Sequence, residues 1–190
     1  MARSPAPPRE VRIIGGIWKR TKLPVRDKPG LRPTPDRVRE TLFNWLGQDL
    51  AGWRCIDAFA GTGALGFEAA SRGAAHVVVV EQDPELVELL RATKAKLKAD
   101  AIDVRRANGL SALASAAPGT IDAIFLDPPF DAGLWDKALR SSADALVADG
   151  FIYLEAPTRW SDEQLAPFGL VLERHLKAGA VHAHLLRRAA

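Results

Sequence analysis

Asp127-Pro128-Pro129-Phe130 closes the apolar run IDAIFL with an acid and two residues that carry no backbone N–H. Proline cannot sit in a central strand, so the strand stops there, and Asp127, preceding a proline, is held extended. The result is a stiff corner offering carbonyl and carboxylate acceptors and few donors. Its complement is a group with two N–H donors, such as the exocyclic amine of a nucleobase. That amine is a weak nucleophile because its lone pair is delocalised into the ring. Accepting both hydrogens turns the lone pair toward an electrophile, so positioning supplies most of the catalysis. Phe130 adds an aromatic face on which an extruded base can stack. Asp127, Pro128, Pro129 and Phe130 are the candidate catalytic residues.

A second cluster lies upstream. Gly61-x-Gly63-x-x-Gly66 falls between a strand-like segment and a helical one. In that context glycines let the backbone approach a nucleotide, and a helix N-terminus offers amides to an anion. Eighteen residues past Gly63, the run HVVVV ends in Glu81, placed to accept from ribose hydroxyls. Asp57 discriminates between cofactors. At its strand tip it would repel the pyrophosphate of a dinucleotide, whereas S-adenosylmethionine brings an ammonium, a sulfonium and one carboxylate. Asp57 attracts the cationic part, directly or through water, and the helix N-terminus receives the carboxylate. Asn108 serves either the adenine edge or a turn. The candidate cofactor contacts are Asp57, Phe59, Ala60, Gly61, Thr62, Gly63, Glu81, Gln82, Asn108 and Asp127, with S-adenosylmethionine as the cofactor.

The scaffold these residues need is legible in the hydrophobic pattern. In TPDRVRETLFNWLG, Thr34 reads as an N-cap, Pro35 as the first helical residue and Gly47 as the stop. Val38, Leu42, Trp45 and Leu46 share a face, with Phe43 beside it. Strands over 55–59, 76–81, 102–106, 121–126 and 151–155 alternate with helices over 64–71, 84–98 and 134–147. Such alternation implies an α/β fold of parallel strands joined by right-handed crossovers, with helices on both faces. Segments 168–175 and 181–187, joined by the short LKAGA, read as a hairpin and hence an antiparallel edge strand. The chain divides into a disordered lead over 1–10, a basic N-terminal hairpin over 11–33 and a catalytic domain over 34–190.

Charge is unevenly spread. The 190 residues carry a net +3, 26% charged residues and 47% hydrophobic ones. Residues 1–40 hold eleven Lys/Arg against four Asp/Glu, a net +7, while the remaining 150 hold 15 against 19, a net −4. A localised basic segment is the footprint of a polyanionic partner, or else a solubilising tail. The single cysteine, Cys55, excludes an internal disulfide and a cysteine metal cluster, and reads as a buried hydrophobe. His182 and His184 share a strand face at a spacing metals use, but no third ligand is in view, so they read as structural; His76 and His175 read as isolated. With no long apolar span and no leader pattern, the expected compartment is the cytoplasm.

The segments RIIGGIWKR, LRPTPDRVRETLFNWL, DAFAGTGALGFEAASRG and FLDPPF together resemble the RsmD family, and DPPF is similar to the (Asn/Asp)-Pro-Pro-(Tyr/Phe) motif of nucleic-acid amino-methyltransferases. The resemblance covers most of the chain from Arg12 to Phe130. It implies a Rossmann-like class I methyltransferase with a seven-stranded sheet, a monomer, and methylation of one guanine N2 in bacterial 16S ribosomal RNA, either naked or within a 30S particle or its assembly intermediate. It places Asp57, Gly61, Gly63, Glu81 and Asn108 at the cofactor and Asp127 to Phe130 at the catalytic corner. Arg12, Lys19, Arg20, Lys22 and Arg32 become candidate phosphate contacts. Trp18 either stacks on RNA or caps the hairpin against the domain. Arg37, also an RNA candidate, and Arg39 have the alternative of facing the cofactor cleft. Two other classes compete: a small NAD-dependent oxidoreductase, motivated by the glycine pattern, and a non-catalytic RNA-binding protein, motivated by the +7 segment. Within the methyltransferase class, the corner itself fits adenine N6, or a DNA base, equally well.

Overall fold

The computed structural model describes residues 10–129 and 133–190; residues 1–9, read as disordered lead, and Phe130 lie outside them. A short antiparallel pair, β1 (Glu10–Arg12) and β2 (Lys22–Pro24), precedes helix α1 (Asp36–Trp45). There follow β3 (Arg54–Asp57), α2 (Ala64–Ser71), β4 (His76–Glu81), α3 (Pro84–Leu97), β5 (Ile102–Arg106), α4 (Gly109–Ala114) and β6 (Ile121–Leu126). Then come α5 (Leu134–Ala145), β7 (Leu146–Ala156), α6 (Asp162–Leu165), β8 (Leu170–Ala178) and β9 (Val181–Arg188).

The seven later strands form one sheet in the order β5-β4-β3-β6-β7-β9-β8. β5 through β7 are parallel, and β9 runs antiparallel to both of its neighbours. The reversed strand therefore sits one place in, with β8 outermost. A hairpin fixes only that its two strands oppose each other, not which of them docks on the sheet. The valine run of β4 shows why the sheet is covered on both sides: Val77 and Val79 join the core under α1 and α2, while Val78 and Val80 join the core under α4 and α5. The chain leaves β3 in one direction through α2 and returns to its other side at β6, so the crevice between β3 and β6 is a topological switch point.

The N-terminal hairpin is welded to α2 rather than hung from it. Val11, Ile13 and Leu23 enter the same core as α1 and α2. Glu68, fully buried on α2, accepts from the amides of Ile14 and Gly15 at 2.8 Å each, from Arg39 Nη1 at 3.1 Å and from Arg72 Nε at 2.9 Å. Arg39 does not face the cofactor cleft. It is fully buried on α1, donating also to the carbonyls of Thr34 and Arg12 and to Asp36 Oδ1 at 2.6 Å. A buried guanidinium persists only where acceptors surround it, and here four do. Arg37 lies on the exposed side of the helix. Trp18 packs against the core and its amide donates to Ser71 Oγ at 3.0 Å, so it caps the hairpin.

Thr34 does not cap α1; the cap position is Pro35, with no side-chain cap bond. Its hydroxyl is spent on the buried carboxylate of Glu155, 121 residues away, at 2.5 Å. A buried acceptor gains more from a donor than an exposed helix end does.

Removing Arg39 takes one of two arginines from the buried Glu68 carboxylate and leaves the carbonyls of Thr34 and Arg12 without their donor, a loss of about 3 kcal/mol. Arg39→Ala is expected to lower the unfolding free energy by that amount in guanidinium titration; a loss below about 1 kcal/mol would contradict the clasp.

Candidate active site

The carboxyl ends of four adjacent strands each present an acid. In sheet order they are Glu81 on β4, Asp57 on β3, Asp127 just past β6 and Glu155 on β7. All four line one cavity of about 550 Å³, a volume that suits a nucleoside-sized ligand. Arg32 is the one cation among the described residues lining it.

Asp57 and Glu81 are held by backbone amides, and Glu155 by hydroxyls. Asp57, buried, accepts from the amide of Gly66 at 2.9 Å through Oδ2. Burial pushes its carboxyl up to about 7, the Gly66 amide pulls back, and the charges of Glu81 and Glu155 push it further up. Glu81 accepts from the amide of Gly61 at 2.9 Å on Oε2 and from those of Gln82 and Asp83 at 2.8 and 2.9 Å on Oε1. Asp127 is held well above the usual carboxylate range by withdrawal from water and by the charges of Glu155 and Asp57. Pro128 is buried beside it and Pro129 exposed.

The glycines are required by space as well as conformation. Gly61 and Gly63 have φ of +53° and +78°, and a Cβ on Gly63 would lie 2.5 Å from Leu90 Cδ2. Phe59, Ala60 and Thr62 line the cavity on the same turn, and Gln82 and Asn108 line it from the β4 and β5 ends. Asn108 is the N-cap of α4: its Oδ1 accepts from the amides of Leu110 and Ser111 at 2.9 and 3.3 Å. Capping and a ligand role are thus compatible, because the cap occupies the oxygen and leaves the amide NH2 as the group to offer.

This donor set fits a cationic nucleoside and opposes a dinucleotide. Oxygens of Glu81 retain acceptor capacity for a ribose diol, and the four acids disfavour a pyrophosphate. The α2 N-terminus is less open to an anion than its position suggests, since Asp57 itself takes the Gly66 amide. Tyr153, the only tyrosine and so the one candidate for a Tyr-Lys pair of an oxidoreductase, is buried and donates to Glu155 Oε1 at 2.8 Å.

Comparison with known proteins shows the family. The family model described as conserved hypothetical protein 95 matches residues 11–187. The ribosomal RNA small subunit methyltransferase D of Escherichia coli K12 is 42% identical over 184 residues, spanning 95% of this chain and 91% of that protein. Its namesake from Haemophilus influenzae is 41% identical over 77% of this chain and 78% of its own length. The solved structure of yhhF from Escherichia coli superposes with a TM-score of 0.81 at 41% identity, covering 95% of this chain and 99% of that one. The chain belongs to the RsmD family.

Within this RsmD chain the basic residues divide by position. Ile17, at the hairpin turn, donates its amide to Ser71 O at 2.8 Å, at the C-terminal end of α2, which points away from the cavity. Exposed Lys19 and Arg20 lie on that turn, Arg12 pairs with Asp36 at 2.8 Å, and Lys22 pairs with Glu10 at 2.9 Å. Arg32, by contrast, stands at the cavity, on the strap of residues 29–34 that lines it. His175 is not isolated: its Nε2 lies 2.8 Å from His182 Nδ1, and its ring 5.1 Å from that of His184. His184 is buried, accepts from the Trp160 amide at Nε2 (3.0 Å) and contacts Leu154 O through Nδ1 (3.1 Å), and burial drives it down to about 4. It is a satisfied core histidine, and no metal-holding group occurs among the described residues.

Sequence reading missed Glu155, Thr34 and Tyr153. The signal was present: CID, VVVVE, IFLD and IYLE are four apolar strands that each end in an acid, and three of the four were recognised.

Asp57 holds its proton more tightly folded than unfolded, so its contribution to stability is complete below its ordinary 3.8 and is lost as pH rises toward 7. Asp57→Asn is expected to remove part of that decline. Relative to the parent, the variant should gain unfolding free energy between pH 4 and 7 in guanidinium titrations; an identical pH slope in both would contradict the buried-acid description.

Proposed function

We propose that this chain transfers the methyl group of S-adenosylmethionine to the exocyclic N2 amine of a guanine in 16S ribosomal RNA. The carrying observation is the Asp127-Pro128-Pro129 corner at the end of β6, opening into a cavity whose acids await a cation. When bound, S-adenosylmethionine supplies an electrophilic methyl group on a positively charged sulfur. Glu81 would hold its ribose, the Asn108 NH2 its adenine edge, and the Gly61–Gly63 turn and Asp57 its amino-acid part.

The corner does the rest by placement. Asp127 and the proline-flanked carbonyls accept the two amine hydrogens, and the nitrogen lone pair is left as the free direction. No base need act before attack, because the proton becomes acidic only once the nitrogen has been alkylated. Asp127, whose affinity for a proton is raised by burial, is then the adjacent group to receive it. Phe130 is assigned the stacking face for the extruded base. Electrostatics sort the substrate: a neutral base enters an acidic cavity, while its phosphates remain outside with Arg32 and the basic segment over 11–33. Arg12, Trp18, Lys19, Arg20, Lys22 and Arg37 remain candidates for that outer contact, Trp18 by holding the hairpin rather than by stacking. The relatives' name, ribosomal RNA small subunit methyltransferase D, supports the substrate class.

Asp127→Ala is expected to slow methyl transfer to small-subunit RNA by about 10²–10³-fold while RNA affinity stays within a few-fold. Radiolabel transfer and calorimetry measure both, and nucleoside mass spectrometry identifies the product. An unchanged rate, or a product other than N2-methylguanosine, overturns the proposal.

A further inference from the structure

Glu155 is a second carboxylate at the catalytic corner with no part in holding the amine. Leu126 on β6 is level with Leu154 on β7, so Asp127 and Glu155 are the next pair along the two strands. Both line the cavity, and Glu155 is 6% exposed. Its two hydroxyl donors, Thr34 Oγ1 at 2.5 Å and Tyr153 Oη at 2.8 Å, converge on the same oxygen, Oε1. Oε2 takes neither bond. Thr34 comes from the strap that lines the cavity and Tyr153 from the core, so the carboxylate is held by two separate elements. The pinning is one-sided by chemistry as well: both donors are hydroxyls, and their bonds favour the ionised carboxylate against the cost of burial.

We infer that Glu155 is the specificity-determining residue of this site, reading the N1–H of guanine through Oε2 while Asp127 and the proline carbonyls hold the N2 amine. The inference rests on the reading that the corner methylates an exocyclic amine. Among the amine-bearing bases, guanine alone places a ring N–H donor beside the amine. Adenine and cytosine place a ring-nitrogen lone pair there. Two neighbouring acceptor groups therefore match guanine at both positions, whereas adenine N6 or cytosine N4 would set a lone pair against a buried carboxylate. The corner alone does not choose among bases; the pair of acids does.

The test uses the full chain and a small-subunit RNA fragment carrying, at the methylated position, either guanine or 2-aminopurine. Both have an N2 amine, but 2-aminopurine has a lone pair at N1. The parent protein is expected to prefer guanine by about 10²-fold. In Glu155→Gln the amide oxygen takes the place of Oε1 under the two hydroxyls and the NH2 faces the base, so the preference should fall to unity or invert toward 2-aminopurine. A parent that methylates both RNAs equally overturns the inference, and this arm needs no variant to fold. A Glu155→Gln protein that keeps the parent's ratio overturns it too, as does one that is folded by circular dichroism yet inactive on both. If the parent methylates no guanine at all, the functional proposal fails instead, which separates the two failures.

Discussion

Four acids at one edge of one sheet are the constraint around which this molecule is organised. Glu81, Asp57, Asp127 and Glu155 end adjacent parallel strands and face a common cavity. Taken out of water together, carboxylates resist ionising, and Asp57, Asp127 and Glu155 all hold their protons more tightly than free acids do. The chain answers with neutral donors: backbone amides for Glu81 and Asp57, hydroxyls for Glu155. Lysine and histidine are absent from the described lining. Arg32 is the one cation in the described lining, so the four acids favour a ligand that brings positive charge and oppose one that brings a pyrophosphate.

The same logic runs in reverse at the N-terminal segment. Glu68 is a buried carboxylate that must be answered in full, and it is, by two hairpin amides and two arginines. That answer fastens the hairpin and α1 to α2, the helix whose N-terminus borders the glycine turn. Along the same connection, the strap over 29–34 reaches the cavity and delivers Thr34 to Glu155. The basic extension and the acidic site are thus one mechanical unit, with opposite charge at its two surfaces.

Elements governed by local pattern were legible in the sequence. The valine strand, the glycine turn and the helix over 64–71 emerged at the expected residues because burial on two faces and chain punctuation are written locally. What escaped was set by partners distant in the chain. Arg39 reads as a residue facing the cofactor cleft, and only Glu68, 29 residues on, makes it a core residue. Thr34 reads as a cap until Glu155 claims its hydroxyl. His175 reads as solitary until the β8–β9 register sets it beside His184 and next to His182. Each is a polar group whose setting is intelligible only once its partner is in place.

The central claim is geometric: an acceptor-only bend grips an NH2 beside the methyl donor. A crystal structure of the chain with S-adenosylhomocysteine and an RNA fragment containing the methylated guanine tests it most directly. The expected result puts the N2 nitrogen about 3 Å from both the Asp127 carboxylate and a proline-flanked carbonyl, with its remaining face toward the sulfur. An N2 nitrogen bonded elsewhere, with the Asp127 carboxylate turned from the base, would contradict it.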